Sequence, residues 1–221
     1  TQRGVAERSV AEESALDHAI EAAGMTVVET DLGEYILQLN DYEPPSHIIG
    51  PALHKSKEEV AELFHKAHGT PVKTVIEDLC LEARGVLRRH YLTADMGISG
   101  GNFFVAESGS VVLVTNEGNA TLATTLPKVH IAISGIEKIV PTLEDVATLM
   151  RLLPRSATGQ SISNYVDVLT GPKGKGEFHG AEHMYFIIVD CGRTTVLGSD
   201  VRDALRCIRC GACMNHCPVY Q

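Results

Sequence analysis

The chain has 221 residues, of which 44% are hydrophobic, and its formal net charge is −9. The hydrophobic fraction is sufficient for a buried core, which excludes disorder of the whole chain. The acidic balance without a basic stripe argues against nucleic acid as the main partner. No run approaches the roughly 18–20 apolar residues of a membrane helix, and the charged N-terminal segment lacks the apolar region of a signal peptide.

Helix-start signals and apolar spacing organise the first half of the chain. Ser9 with Glu12 and Ser56 with Glu59 form S-x-x-E patterns typical of helix N-caps. Short β-prone runs indicate buried strands. Together these signals predict helices over 9–23, 32–39, 57–68 and 77–94, and strands over 25–29 and 47–50.

The second half of the chain is richer in strands. Two β-prone runs on either side of Ser108-Gly109 predict a hairpin over 103–115, and Thr142 with Asp145 caps a helix that we expect to end at Pro154. Further strands are predicted over 129–134, 163–169 and 184–190. The alternation of helices and strands indicates an α/β fold with an open, mostly parallel sheet and flanking helices. Antiparallel strand pairs are expected near 103–115 and 184–197. We expect this domain to span residues 1–200.

Residues 202–221 form a separate module that contains four of the six cysteines. Cys207, Cys210, Cys213 and Cys217-Pro218 have the C-x2-C-x2-C-x3-C-P spacing of bacterial ferredoxins, whose cysteines bind [4Fe-4S] clusters and whose fourth cysteine ligates a second cluster. A zinc site or disulfides are the alternatives, but zinc motifs usually separate two C-x2-C pairs by a dozen or more residues. The sequence therefore predicts an iron–sulfur motif, with Cys217 directed to the second cluster.

The position of this motif predicts that the chain has been shortened. A first residue other than Met suggests processing or excision, and a second cysteine run does not follow Cys217. We therefore expect two clusters in the full-length protein and an incomplete or absent cluster in this fragment. Cys80 and Cys191 are expected to be core residues.

Polar residues near predicted strand ends form the candidate site of the larger domain. A Gly-rich segment precedes the hairpin and could present backbone amides to a carboxylate or phosphate, whereas ordinary turn chemistry is the alternative. Other polar residues follow the hairpin strands, where α/β sheets bind ligands. The candidates are Gly97, Ser99, Gly100, Gly101, Asn102, Glu107, Asn116, Glu117 and Asn119. His47, His54 and Lys55 follow another predicted strand and are each interpreted as structural or surface residues.

Four segments make the chain similar to a known family. The segments ETDLGEYILQL, EPPSHIIGPALHKS, HYLTADMGISGGNFFVAESGSVVLVTNEGN and LRCIRCGACMNHCPVY together resemble the lactate utilization protein B family. These are iron–sulfur proteins in which a LUD domain, similar to sugar-phosphate isomerases and CoA-transferases, precedes a ferredoxin-like pair of cluster motifs. The family has a longer N-terminal region, a second cysteine run and a C-terminal tail.

The resemblance implies a subunit of a cytoplasmic complex that oxidises L-lactate to pyruvate. The implied partners are a second LUD protein and a cysteine-rich iron–sulfur protein, and the implied role is electron transfer. Two alternatives remain open. The LUD domain could be a small-carboxylate binding module that uses residues 97–102, or it could be a CoA-transferase-like enzyme with Glu107 as nucleophile, because Glu107-Ser108-Gly109 resembles the turn that supplies that nucleophile.

Overall fold

A computed structural model of the chain describes residues 3–6 and 16–220. The strands are β1 Arg3–Ala6, β2 Thr26–Glu29, β3 Met96–Gly100, β4 Phe103–Val105, β5 Ser110–Thr115, β6 Val129–Gly135, β7 Ile139–Val140, β8 Tyr165–Leu169 and β9 His183–Val189. The helices are α1 Leu16–Ala22, α2 Leu32–Leu39, α3 Lys57–His68, α4 Ile76–Thr93, α5 Asn119–Thr125, α6 Leu143–Met150, α7 Leu153–Thr158, α8 Arg193–Leu197 and α9 Ala212–Asn215.

Local side-chain caps begin several of these helices. Asp31 accepts hydrogen bonds from two amides at the start of α2. Complete capping boxes begin α3, from Ser56, and α6, from Thr142. Each cap satisfies amides that have no partner within the helix, which explains why the sequence signals located these N-termini correctly.

The strands form two sheets. The larger sheet has the order β2-β1-β3-β6-β9, and its neighbouring strands run parallel. The smaller sheet has the order β7-β4-β5-β8, in which β5 is antiparallel to both of its neighbours. The predicted α/β class, with a parallel sheet and flanking helices, is confirmed, and the hairpin over 103–115 belongs to the second sheet.

Alternating side chains of the smaller sheet enter two different hydrophobic clusters. Phe104, Val111 and Leu113 pack with Ala120 of α5 and Ala132 of the larger sheet. On the opposite face, Phe103, Val105 and Val112 pack with Val146 and Leu153 of α6 and α7, and also with Ile208 and Cys210. The segment that contains the cysteines therefore packs directly on the α/β domain.

Several sequence predictions need correction. Residues 47–50 form a turn rather than a strand, and a hydrogen bond from Ser46 N to Pro51 O closes it. The region 184–197 is not antiparallel, because β9 runs parallel to β6 and α8 follows. The predicted helix ending at Pro154 is two helices, since proline is well tolerated in the first turn of α7.

Other predictions concern single residues and one helix. Cys80 and Cys191 are exposed and do not belong to the core. The helix predicted over 9–23 is observed from Leu16 to Ala22, and its first residues lie outside the described ones. Among the helices of the described residues, none combines the length and apolar character required to cross a membrane.

Candidate functional site: a cleft beneath the cysteine segment

A cleft of about 360 Å³ lies where the strand order of the larger sheet reverses. Strand β1 has β2 on one side and β3 on the other. The connection from β1 therefore leads to one side of β1 in the sheet, and the connection from β2 leads back to the other side. Open α/β sheets bind ligands at the carboxyl ends of strands at such a point. Gly100 at the end of β3 and Asp31 just after β2 line the cleft.

The Gly-rich segment is mostly a strand rather than a loop, which corrects the sequence prediction. Gly97 and Ser99 lie in β3, hydrogen-bonded between β1 and β6. The amides of Gly101 and Asn102 donate to Ile133 O and Val112 O, so they are not free to bind an anion. Glycine is required at position 97 by close packing, since a Cβ there would lie 1.8 Å from Ala123 O.

Six of the predicted site residues nevertheless meet at the cleft. The six are Gly100, Gly101, Asn102, Asn116, Glu117 and Asn119. The hydroxyl of Thr115 donates to Asn119 Oδ1, which fixes the orientation of that amide. Among the described residues, the buried Nδ2 of Asn119 has no hydrogen-bond partner. Their role in binding remains a prediction.

One wall of the cleft is acidic. Burial raises the pKa of Asp31, although amides at the start of α2 oppose the shift by donating to its carboxylate. Burial likewise raises the pKa of Glu117, and the nearby Asp31 carboxylate adds to the shift. Proximity of two carboxyl groups favours retention of a proton by one of them.

A second wall of the cleft is basic and includes residues of the cysteine segment. Lys138 is 6% exposed, and its Nζ donates to Cys207 O at 2.6 Å. Burial lowers the pKa of Lys138, and the neighbouring Glu137 carboxylate opposes that shift. Arg209, which lies between Cys207 and Cys210 in sequence, also lines the cleft.

Glu107 lies elsewhere, on the exposed turn between β4 and β5. Its carboxylate accepts a hydrogen bond from Leu143 N at 2.7 Å, at the start of α6. Its own amide donates to Pro141 O. Both contacts attach the hairpin to the α6 connection, so the geometry indicates a structural role for this side chain.

Comparison with known proteins identifies the domain that forms this cleft. The profile of the LUD domain family matches residues 3–189. The chain belongs to the LUD domain family. A 4Fe-4S binding domain profile matches residues 201–220, immediately after the LUD domain.

Relatives with known names extend over both parts of the chain. Proteins named lactate utilization protein B from Geobacillus sp. (strain WCH70) and Geobacillus kaustophilus (strain HTA426) are 53% identical over 212 residues, which is 96% of this chain. The chain spans about 45% of the length of these relatives. A crystal structure of a DUF162 family protein from Deinococcus radiodurans is matched with a TM-score of 0.35 at 20% identity, over 46% of this chain and 57% of that one. No structural conclusion follows from similarity at that level.

The cysteine segment is anchored to the LUD domain by side chains that the sequence analysis did not connect. His47 Nδ1 accepts from Ile49 N, so its Nε2 carries the proton and donates to Asn215 Oδ1 at 3.0 Å. Asn215 Nδ2 donates to Ser156 O at 3.0 Å. Gly211 is buried, and a Cβ at that position would lie 2.9 Å from Ile49 Cγ1. Docking therefore depends on an asparagine and a glycine inside the cysteine motif.

The residue types of this segment, rather than an assembled ligand geometry, fit an iron–sulfur cluster. Cys207, Cys210, Cys213 and Cys217 carry free thiols, and thiolates are the usual ligands of such clusters. Positive φ angles at Arg209 (56°) and Gly211 (73°) turn the backbone between them, and Arg209 N donates to Cys207 Sγ at 3.4 Å. Within the described part of the chain, no three histidine, cysteine, aspartate or glutamate side chains are grouped so that they could hold a metal ion.

His47, Lys138 and Asp31 line the cleft but were not predicted as site residues. Lys138 follows a strand end at Gly135, and Asp31 follows Glu29 at the end of β2. The rule that ligands bind at strand ends could therefore have identified both residues.

Proposed function

We propose that this protein is an iron–sulfur electron-transfer subunit of a complex that oxidises L-lactate to pyruvate. A lactate utilization role with an iron–sulfur motif is supported by the named relatives and the 4Fe-4S profile. The observation that carries the finer proposal is the position of the cysteine motif. Ile208 and Arg209, between the first two cysteines, form part of the wall of the cleft.

The reaction requires an electron acceptor close to the substrate. Conversion of lactate to pyruvate breaks the C2–H and O–H bonds and releases two electrons and two protons. An iron–sulfur cluster supplies one-electron acceptance when bound. Cys207, Cys210 and Cys213 would hold one cluster, and Cys217 would serve the second one of the full-length protein. Arg206 and Arg209 are adjacent in sequence to these cysteines and contribute positive charge, of which that of Arg206 is partly offset by its ion pair with Asp203.

The proposed setting follows from the same similarity. In this proposal the complex is cytoplasmic and contains a second LUD protein and a cysteine-rich iron–sulfur protein. The CoA-transferase alternative has less support, because Glu107 lies outside the cleft lining and its carboxylate is bound to Leu143 N.

Iron content after anaerobic reconstitution of the full-length protein tests the proposal. We expect about eight iron atoms per chain for two cubane clusters. Cys213→Ser should lower iron content by about half, because one of the two clusters loses a ligand. Cys191→Ser is the matched control, since Cys191 is exposed and lies outside the motif. Two or fewer iron atoms in the unmodified protein, or equal losses in both variants, would refute the proposal.

Lactate-dependent reduction provides the functional half of this test. With the partner subunits present, addition of L-lactate should produce the electron paramagnetic resonance signal of reduced clusters in the unmodified protein and in Cys191→Ser. A fully loaded complex that stays oxidised with lactate, but is reduced by dithionite, would contradict a role in lactate oxidation.

A further inference from the structure

We infer that the cleft is a binding site for a small 2-hydroxy or 2-oxo carboxylate, with Asn119 and Lys138 as binding residues contributed by the LUD domain. The choice of this ligand class rests on the proposed function. The location and polarity of the site rest on the cleft itself, which is built jointly by the LUD sheet and the cysteine segment.

Asn119 is the most specific observation. Its side chain lines the cleft and is 5% exposed. Thr115 holds its Oδ1, whereas its Nδ2 has no partner among the described residues. A buried amide donor without an acceptor is unfavourable, and such groups in native structures usually have a function. A ligand oxygen that displaced the atoms covering Nδ2 would satisfy this donor.

Lys138 supplies the charge that an anionic ligand needs. The hydrogen bond to Cys207 O engages one of its three N–H donors. The nearest carboxylate in sequence, Glu137, is bound to Arg193. Glu137 still stabilises the ammonium form of Lys138 in part, but burial has the larger effect on its pKa, so the carboxylate of a ligand in the cleft would add anionic compensation. Arg209 lines the same region and adds positive charge.

The acidic wall offers hydrogen-bond partners for the oxygen on C2 of such a ligand. A carboxylate of Asp31 or Glu117 can accept a hydrogen bond from a hydroxyl group, and its protonated form can donate to a carbonyl oxygen. A molecule with a carboxylate and an oxygen on the adjacent carbon therefore carries a partner for the basic wall and a partner for the acidic wall. The volume of about 360 Å³ leaves room for water or a larger substituent beside a three-carbon acid.

A ligand in the cleft would lie close to the cysteine segment. Ile208 and Arg209 line the cleft, and Lys138 contacts the backbone of Cys207. A carboxylate bound to Lys138 would thus lie next to the segment that holds the cysteine ligands. Binding should therefore depend on docking of this segment.

Calorimetric titration of the oxidised, reconstituted full-length protein with pyruvate tests the site without turnover. Asn119→Asp keeps the Oδ1 acceptor for Thr115 but replaces the free donor by a carboxylate oxygen, which repels an anion. We expect its Kd for pyruvate to rise at least tenfold. Lys138→Met should weaken binding to a similar extent and serves as the second variant if Asn119→Asp does not fold.

The matched control is Lys128→Met, which makes the same substitution as Lys138→Met at an exposed lysine outside the cleft lining. Its Kd should stay within twofold of the unmodified protein. L-lactate should bind and compete with pyruvate, whereas propionate, which lacks the oxygen on C2, should bind at least tenfold more weakly.

Iron content measured on the same samples separates the two proposals. Normal iron content together with no saturable pyruvate binding, or with equal binding in Asn119→Asp, Lys138→Met and the unmodified protein, would refute the carboxylate site and leave the electron-transfer proposal intact. Tight pyruvate binding with two or fewer iron atoms per chain would support the carboxylate site and refute the electron-transfer proposal.

Discussion

Two glutamates near the ends of neighbouring strands differ in what surrounds their carboxyl groups. Glu107 is exposed and accepts a hydrogen bond from Leu143 N at 2.7 Å. Glu117 lines the cleft, and burial together with the Asp31 carboxylate raises its pKa. The first carboxylate attaches a turn to a helix start, whereas the second lies in the cleft with a raised pKa, which makes it a candidate for proton exchange with a ligand.

Glu107→Gln distinguishes a structural role for this residue from nucleophilic catalysis. The amide oxygen of glutamine can still accept from Leu143 N, so we expect the free energy of unfolding to change by less than about 1 kcal/mol. Lactate-dependent electron transfer should be unchanged in this variant. If the Glu107 carboxylate were a nucleophile, glutamine could not replace it and electron transfer would be lost. Denaturant unfolding and reduction kinetics provide the two measurements, and loss of electron transfer in a folded variant would favour the CoA-transferase hypothesis.

His130 predicts a dependence of stability on pH. The ring is buried in β6 and hydrogen-bonded to Ser99 Oγ at 2.7 Å, and burial lowers its pKa to about 4. Because the unfolded state binds a proton near pH 6.5 and the folded state resists it, stability should fall as pH falls from about 6.5 to about 4. The loss should be about 3 kcal/mol over that window.

Unfolding measured between pH 7 and pH 4 checks this expectation. His130→Gln is the control, since glutamine can contact Ser99 without titrating, and its stability should vary less over the window. A His130 ring that titrates near pH 6.5 by nuclear magnetic resonance would contradict the prediction.

At the level of elements, the contact between β3 and α5 explains the glycine-rich sequence. Gly97 faces the backbone of α5 so closely that a Cβ would lie 1.8 Å from Ala123 O. Glycine normally weakens a strand, but here its missing side chain permits helix and sheet to touch. This contact also positions Asn119, the first residue of α5, at the cleft.

Gly97→Ala should therefore destabilise the protein by about 3 kcal/mol, because a backbone atom of α5 must move. Gly85→Ala provides the matched substitution within α4, where a Cβ has nothing within 4 Å. It should stabilise the protein by about 0.5–1 kcal/mol through helix propensity. Thermal unfolding of both variants measures the difference, and equal melting temperatures would contradict the close packing.

At the scale of the whole molecule, the cysteine segment is held by contacts between distant parts of the chain. Asn215 connects His47 in the 45–51 turn to Ser156 O in α7. Lys138 reaches Cys207 O from the end of the larger sheet. The same contacts therefore hold the segment that would bind the cluster and complete the cleft that would bind the ligand.

Asn215→Ala tests this arrangement by removing hydrogen bonds to both neighbours. Each hydrogen bond is worth about 1 kcal/mol, so proteolytic cleavage within 207–217 should become about thirtyfold faster. His216→Ala is the control, because the contact of His216 Nδ1 is with Ala212 O inside the same short helix. Equal cleavage rates in the two variants would mean that Asn215 does not anchor the segment.

Features encoded by nearby residues could be predicted from sequence. The capping boxes of Ser56 and Thr142 and the cysteine spacing involve groups only a few residues apart, so a linear pattern contains the complete signal. The strand-end rule also made Asn119 and Glu117 candidates, and both line the cleft. They follow β5, which is antiparallel to its neighbours, so their position depends on how the two sheets pack together.

Other features depend on contacts between residues far apart in sequence. His47 meets Asn215 across 168 positions, and Lys138 meets Cys207 across 69. The strand β3 forms where glycines indicate a loop, because pairing with two neighbours and packing against α5 outweigh local preference. Short-range chemistry thus specified the cysteine motif and the helix starts. The cleft, its two charged walls and the docking of the cysteine segment follow from long-range packing, which no local pattern records.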